Sequence, residues 1–415
     1  MTGLDKKILD DETIEMLISK NLLNRNEELC SVLKILQDKN VFNIIGLCGE
    51  WGSGKTIFCK QLNYLINNDK KQQILLSGNF TNLMRSIYIN AWEFDQNIDP
   101  ILSLVSAITK QIAGLSPSKE IKGFIQAIIN SIVKKVSSGI VSLENIKFED
   151  FLEIVKDTDV LKKHIQNYLN EIIDENCNRL LIVIDELDRC NAKYIITFLE
   201  RLNCYFNDYR VTFLISMNEK EIIHSLDTVY GSNYNSGEYL YKIIDSKISL
   251  RKITFREYIA VLGVECYIST YWYTLIFEYL SNAFNFSLRN INRMTDYVLK
   301  HYGKEYGMSD IEVNIVDFVV IPYLFCLKLK KPLDFYDFSS KRGKNLFVDT
   351  LLGFDRIGRL LSATLKNNIT GKEKEALEQI HDVINNSEND DRLQLLNISF
   401  KNDLIKYYNK KTRTF

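Results

Sequence analysis

Gly49-Glu50-Trp51-Gly52-Ser53-Gly54-Lys55-Thr56 sets glycines, a lysine and a hydroxyl at the spacing G-x-x-x-x-G-K-[ST] of a phosphate-binding loop. Glycine at 49, 52 and 54 lets the backbone curl so that its N–H groups converge on an anion with no Cβ in the way. Lys55 is expected to bridge the β- and γ-phosphates of a nucleoside triphosphate, and the Thr56 hydroxyl to coordinate Mg2+. With Ile57 at the start of the following helix, whose positive end faces the anion, the expected nucleotide-binding set is Gly49, Glu50, Trp51, Gly52, Ser53, Gly54, Lys55, Thr56 and Ile57.

A second run, Arg179-Leu180-Leu181-Ile182-Val183-Ile184-Asp185-Glu186, ends an apolar stretch in two acids. That is the Walker B form, a buried strand whose C-terminal tip delivers carboxylates to a ligand crevice. Asp185 is expected to hold the metal with Thr56, directly or through water. Glu186 is placed to orient or deprotonate an attacking water, which completes a catalytic set of Lys55, Asp185 and Glu186. The plain alternative for Glu186 is a surface carboxylate. Asp188 and Arg189 follow closely: Arg189 either reaches a phosphate across a subunit interface or pairs with Asp188. Asn218, just past the next apolar run, reads either as a sensor of the γ-phosphate or as an ordinary strand-end residue.

The elements that must position these groups are legible around them. Residues 41–47 (VFNIIGL) are short and apolar, as a central parallel strand should be. After the loop, Phe58, Leu62, Leu65 and Ile66 form the stripe of an amphipathic helix. Asn191 is expected to cap a helix with Ile195, Leu199, Leu202 and Phe206 on one face, and residues 211–216 (VTFLIS) to form another buried strand. Residues 149–176 predict a long helix with Leu161, Ile165, Tyr168, Leu169, Ile172 and Ile173 as its apolar stripe. From about residue 251 only helical periodicity persists, rich in aromatic residues that read as core rather than as a base-stacking platform. The expected fold is α/β: a three-layer parallel sheet with inserted helices and a C-terminal all-helical domain. Its divisions are N-terminal helices over 1–40, the nucleotide domain over 41–250 with a helical insertion at about 98–145, and the helical domain over 251–415.

Composition narrows the field. With 415 residues, 46% hydrophobic and 25% charged, the chain can bury a sizeable core. Lys plus Arg (52) balances Asp plus Glu (53), so the net charge offers no general attraction to nucleic acid or anionic lipid. The 8 cysteines form no C-x-x-C pair and read as buried reduced thiols of a cytoplasmic protein. The first residues have no signal-peptide pattern, and the uncharged runs between Asp99 and Lys110 and between Lys122 and Lys134 are well short of the ~20 residues a bilayer requires. Residues 258–280 are longer but carry Glu265, which favours a packed helical hairpin over a membrane span. The basic, aromatic tail at 407–415 reads as a solvated end.

Residues 45–56 (IGLCGEWGSGKT), 88–95 (YINAWEFD), 181–190 (LIVIDELDRC), 239–244 (YLYKII) and 287–294 (SLRNINRM) together resemble the KAP family of P-loop NTPases. Asn-Ala-Trp at 90–92 is the least generic of these, and the resemblance runs from about 23 to 294. It implies a nucleotide domain with an extra strand inserted between the Walker strands, a helical C-terminal region, and, for bacterial members, a part in phage defence beside an effector protein encoded nearby. It also implies that Arg289 and Arg293, four apart on one helix face, could reach the nucleotide from the helical domain; a solvated basic face is the alternative. Many members carry membrane helices between the Walker motifs, where this chain has lysine-broken segments. Two departures stand out: Glu186 replaces a usual Asp, and Met217-Asn218 replaces a usual acidic strand end.

The expected activity is Mg2+-dependent hydrolysis of a nucleoside triphosphate. ATP is favoured over GTP because no guanine-reading N-K-x-D sequence occurs. A homo-oligomer that assembles or changes conformation with each cycle is the leading reading. A nucleotide-locked scaffold and a DNA- or RNA-stimulated ATPase stand beside it.

Overall fold

The computed structural model describes residues 10–37, 43–68, 70, 72, 84–95, 100–111, 158–206, 208–262, 271–302, 319–365 and 368–385. They divide into two compact units, Leu9–Lys252 and a second that contains Ile253–Phe415.

The first unit opens with helices α1 (Asp11–Ser19) and α2 (Asn26–Gln37). They lead into strand β1 (Ile44–Cys48) and helix α3 (Lys55–Asn67), then strand β2 (Met84–Asn90). Helices α4 (Pro100–Gln111) and α5 (Thr158–Asn176) precede strand β3 (Arg179–Asp185). The unit closes with helix α6 (Ala192–Tyr205), strand β4 (Val211–Met217), helices α7 (Glu219–Tyr230) and α8 (Ser236–Ile243), and strand β5 (Ser246–Ser249). The strands form a five-stranded sheet in the order β2-β3-β4-β1-β5, and every neighbouring pair is parallel. The two Walker strands, β1 and β3, are thus separated by β4, as the family resemblance implies.

Alternation along the strands builds the three layers. On β3, Leu180, Ile182 and Ile184 join Ile87 and Ile89 of β2 and Phe213 and Ile215 of β4 in one core cluster, packed against residues of α4, α5, α6, α7 and α8. Leu181, Val183 and Asp185 point to the opposite face, as period-2 geometry requires. That face is covered by α3, on which α1 and α2 pack in turn. Five consecutive buried positions in β1 and seven in β4 explain why these strands read as unbroken apolar runs. The expected stripes are all buried: Phe58, Leu62, Leu65 and Ile66 on α3, and Ile195, Leu199 and Leu202 on α6, with Phe206 just beyond its end. Asn191 caps α6, its side chain accepting from the Tyr194 N–H. The long helix begins at Thr158 here; residues 149–157, most of the 98–145 insertion and the 407–415 tail lie outside the described residues.

The described elements from Ile253 onward are all helical: α9 (Phe255–Leu262), α10 (Tyr271–Ala283), α11 (Leu288–Tyr302), α12 (Ile321–Lys330), α13 (Pro332–Tyr336), α14 (Lys341–Leu352), α15 (Ile357–Leu365) and α16 (Glu373–Asn385). Many of the unit's aromatics are core. The Tyr323 ring meets Phe347 edge-on at 5.0 Å and lies 5.9 Å from Phe284. No helix among the described residues is long and apolar enough to cross a membrane.

One close approach in this unit is testable. A Cβ built on Gly343, in the first turn of α14, would lie 2.4 Å from the carbonyl oxygens of both Asp337 and Phe338. Backbone cannot swing aside as a side chain can. Gly343→Ala should therefore destabilise the helical unit by about 1–3 kcal/mol, seen as a lower urea midpoint. Gly358→Ala, which meets only the flexible end of Glu373, should shift the midpoint less.

Candidate nucleotide site

The loop between β1 and α3 sits where the chain leaves the C-terminal edge of the sheet, the usual ligand crevice of an open α/β sheet. Gly52 and Gly54 hold φ of 78° and 95°, left-handed values that open the turn ahead of α3. A Cβ on Gly49 would meet Ser53 Oγ at 2.7 Å, so any larger residue there would require the Ser53 side chain to move. The Gly49 N–H donates to the Met217 carbonyl at 3.1 Å, tying the loop to the tip of β4.

Lys55 is 8% exposed and curls back over the loop, donating to the carbonyls of Gly49 at 2.7 Å and Glu50 at 3.1 Å. Burial pushes its ammonium below the ordinary lysine range, against the pull of Asp188, Asp185 and Glu186. Three carboxylates thus act electrostatically on one buried cation. Thr56 Oγ1 lies 3.5 Å from Glu186 Oε1, which brings the hydroxyl of the first motif to the acids of the second.

Asp185 ends β3 and is 2% exposed. One of its oxygens accepts from the Glu186 N–H at 3.0 Å, the other from the Tyr88 hydroxyl at 2.8 Å. Glu186 itself takes a left-handed backbone, φ 62° and ψ 22°, uncommon for a residue with a Cβ. This turn swings the chain out of β3 into the short helical turn Leu187–Arg189. Thr56 and Asp185 offer a hydroxyl and a carboxylate, the hard oxygen donors that Mg2+ takes from protein while keeping phosphate and water as its other ligands.

The residues after Glu186 make contacts that the sequence reading did not name. Arg189 does not pair with Asp188: its guanidinium pairs with Glu186, three residues back, and lies 5.8 Å from the centre of the Trp92 ring. Asp188 is turned inward instead. It accepts from the Asn218 N–H at 2.7 Å and from Trp51 Nε1 at 3.0 Å, so it fastens the second motif to β4 and to the phosphate loop. The turn at Leu187–Arg189 explains the exchange, because it puts residues 186 and 189 within reach of each other while 188 points to β4. Asn218 precedes α7 without capping it through its side chain, and is 9% exposed. Arg289 and Arg293 lie on α11 in the other compact unit, and Arg293 is exposed.

Two residues of the site carried no role in the sequence reading. Tyr88 was noticed only as part of the 88–95 segment. Arg25, 2% exposed, pairs with Glu28 and donates to the Ser53 carbonyl at 3.3 Å, so a buried cation from the start of α2 braces the phosphate loop. The available signal was an Arg-x-x-Glu pair at the head of an amphipathic helix, too common to single out. In the Asn-Ala-Trp segment, Asn90 stands opposite Asp185 in the strand register and caps the turn Ala91–Phe94 by accepting from the Trp92 N–H. Trp92 is 55% exposed.

Comparison with known proteins places this geometry. Over almost its whole length the chain is similar to a Walker-type ATPase of Pyrococcus abyssi, at 11% identity and a TM-score of 0.37, covering 93% of this chain and 90% of that one. It is also similar to the ORC2 protein of Aeropyrum pernix, solved in ADPNP and ADP complexes, at 14% identity and a TM-score of 0.31, covering 94% and 93%. PCH-2 of C. elegans is similar over 71% of this chain and 64% of its own, at 15% identity and a TM-score of 0.28. No curated protein matches. The family model of the KAP family P-loop domain matches residues 26–302, which takes in the whole sheet and both Walker motifs. The chain belongs to the KAP family of P-loop NTPases.

Proposed function

We propose that this chain hydrolyses a nucleoside triphosphate, ATP in preference to GTP, and uses the cycle to drive assembly or a change of conformation. The observation that carries the proposal is the convergence of Lys55, Thr56, Asp185 and Glu186 at the C-terminal ends of β1 and β3. In this reading the loop N–H groups and the start of α3 receive the phosphates. Lys55 gives up its two carbonyl partners, Gly49 and Glu50, to bridge the β- and γ-phosphates. Thr56 and Asp185 would hold Mg2+, which when bound would supply charge neutralisation for the transferred phosphoryl group. Glu186, released from Arg189, accepts a proton from the attacking water. Arg189 is then free to turn toward phosphate, on its own subunit or a neighbouring one.

One observation favours a second reading. Glu186 is held by Arg189, and a carboxylate so paired is a poor base. A scaffold that binds nucleotide with little turnover would look the same at this position. The wider role, switching a nearby-encoded effector in phage defence, rests on family kinship and not on the chemistry of the site.

Phosphate release by the purified chain decides between the readings. Turnover should require Mg2+ and fall by at least about 10²-fold in both Lys55→Ala and Glu186→Gln, as expected when a phosphate-binding charge or a general base is removed. DNA or RNA should leave the rate unchanged. Nucleotide binding with a rate indifferent to Glu186→Gln would instead select the scaffold. Size-exclusion chromatography with and without a non-hydrolysable ATP analogue should show a change in assembly for wild type and none for Lys55→Ala.

Lys55 also yields a stability prediction with a definite sign. Its proton affinity is lowered in the folded chain, so the charged lysine costs native stability, and that cost fades only as pH rises through the folded value toward the ordinary lysine range. At pH 7 without nucleotide, Lys55→Met should therefore unfold at or above the wild-type midpoint. Adding Mg-ATP should raise the midpoint of wild type alone.

A further inference from the structure

We propose that Tyr88 is a positioning residue for the metal-binding carboxylate, its hydroxyl fixing Asp185 by a hydrogen bond that runs diagonally across β2 and β3. The proposal rests on the reading of Asp185 as a metal ligand and adds to it a residue outside both nucleotide motifs.

Strand register makes the contact possible. Tyr88 stands opposite Val183 and Asn90 opposite Asp185, so Tyr88 and Asp185 are diagonal neighbours on one face of the sheet. That separation is about 7–8 Å between backbones, which a tyrosine can span and a serine or threonine cannot. The hydroxyl reaches Asp185 Oδ2 at 2.8 Å, while Oδ1 takes the Glu186 N–H at 3.0 Å. One donor on each oxygen fixes the carboxylate plane and leaves each oxygen a further lone pair for a cation or its water.

Tyr88 is itself held at both ends. Its ring lies under Lys60 Nζ of α3, 5.6 Å from the centroid. Its backbone lies on β2 at the edge of the sheet, where N–H and C=O groups facing outward would lack a strand partner. The Gln111 side chain at the end of α4 takes the place of one, accepting from the Tyr88 N–H at 3.1 Å and donating to its carbonyl. Packing alone does not call for the hydroxyl, since a phenylalanine would fill the same space beneath α3. What the oxygen adds is a donor aimed at Asp185. Partners of this kind hold ligating groups in the orientation the metal requires, and their loss weakens metal binding by about 10–100-fold.

The test is Tyr88→Phe in the full chain. Affinity for a non-hydrolysable ATP analogue is measured by calorimetry, once with Mn2+ and once in EDTA. The variant should bind about tenfold more weakly with Mn2+ and equally well in EDTA, because only the metal-bound form uses Asp185. Unchanged affinity with Mn2+ would overturn the proposal. So would a parallel loss in both conditions, which is what a purely structural tyrosine would give. If wild type itself binds no better than Lys55→Ala in either condition, the nucleotide-site reading fails and takes this proposal with it, an outcome distinct from a failure of Tyr88 alone.

Discussion

Burying a carboxylate away from water costs free energy unless donors replace the lost solvent, and Asp185 is 2% exposed at the tip of a central strand. Its donors come from the next residue of its own chain and from the neighbouring strand, and it acts in turn on the buried Lys55 at the head of α3. Each of those groups is held by the parallel sheet. If β2 slipped by one residue against β3, Tyr88 would leave the face it shares with Asp185. If β4 did not lie between β1 and β3, the Met217 carbonyl could not take the Gly49 N–H on one side while Asn218 meets Asp188 on the other. The order of the sheet is therefore a condition of the site and not merely its support.

Asp188 is the second knot. By accepting from Trp51 and from the Asn218 N–H, it joins the phosphate loop, the second motif and the end of β4 through one side chain. Arg189 has a looser setting, with a guanidinium about one-third exposed between Glu186 and the Trp92 ring. The two adjacent residues divide the work: Asp188 fastens the framework, and Arg189 engages the carboxylate proposed to activate water.

Both Walker motifs, strands β1, β3 and β4, and the stripes of α3 and α6 were legible in the sequence because each combines an apolar period with a marked terminus. β2 and β5 were not. β2 (MRSIYIN) sits at one edge, and its exposed Arg85 and partly exposed Tyr88 and Asn90 interrupt the apolar run that betrays a central strand. β5 is four residues long, SKIS, with none of them fully buried, and is defined only by its pairing with β1. Arg25 and Tyr88 escaped for a related reason. A side chain whose role depends on a contact made 28 or 97 residues away leaves no local pattern. Arg189 shows the opposite limit: its partner lies three residues off, but only the left-handed turn at Glu186 decides between 186 and 188.

Conformational cost is visible around this crevice. Glu186 adopts a left-handed backbone without being glycine, Lys55 is buried to the detriment of its charge, and the Ser53 hydroxyl is buried without a hydrogen-bond partner. A sequence selected for stability alone would relieve the crevice, since a smaller apolar residue at 55 or a glycine at 186 would fold with less conflict. Keeping those residues has a physical reason only if something that visits the site offsets the cost. The loop amides, the lysine and the two acids suit the visitor proposed above, an anion that arrives with a cation.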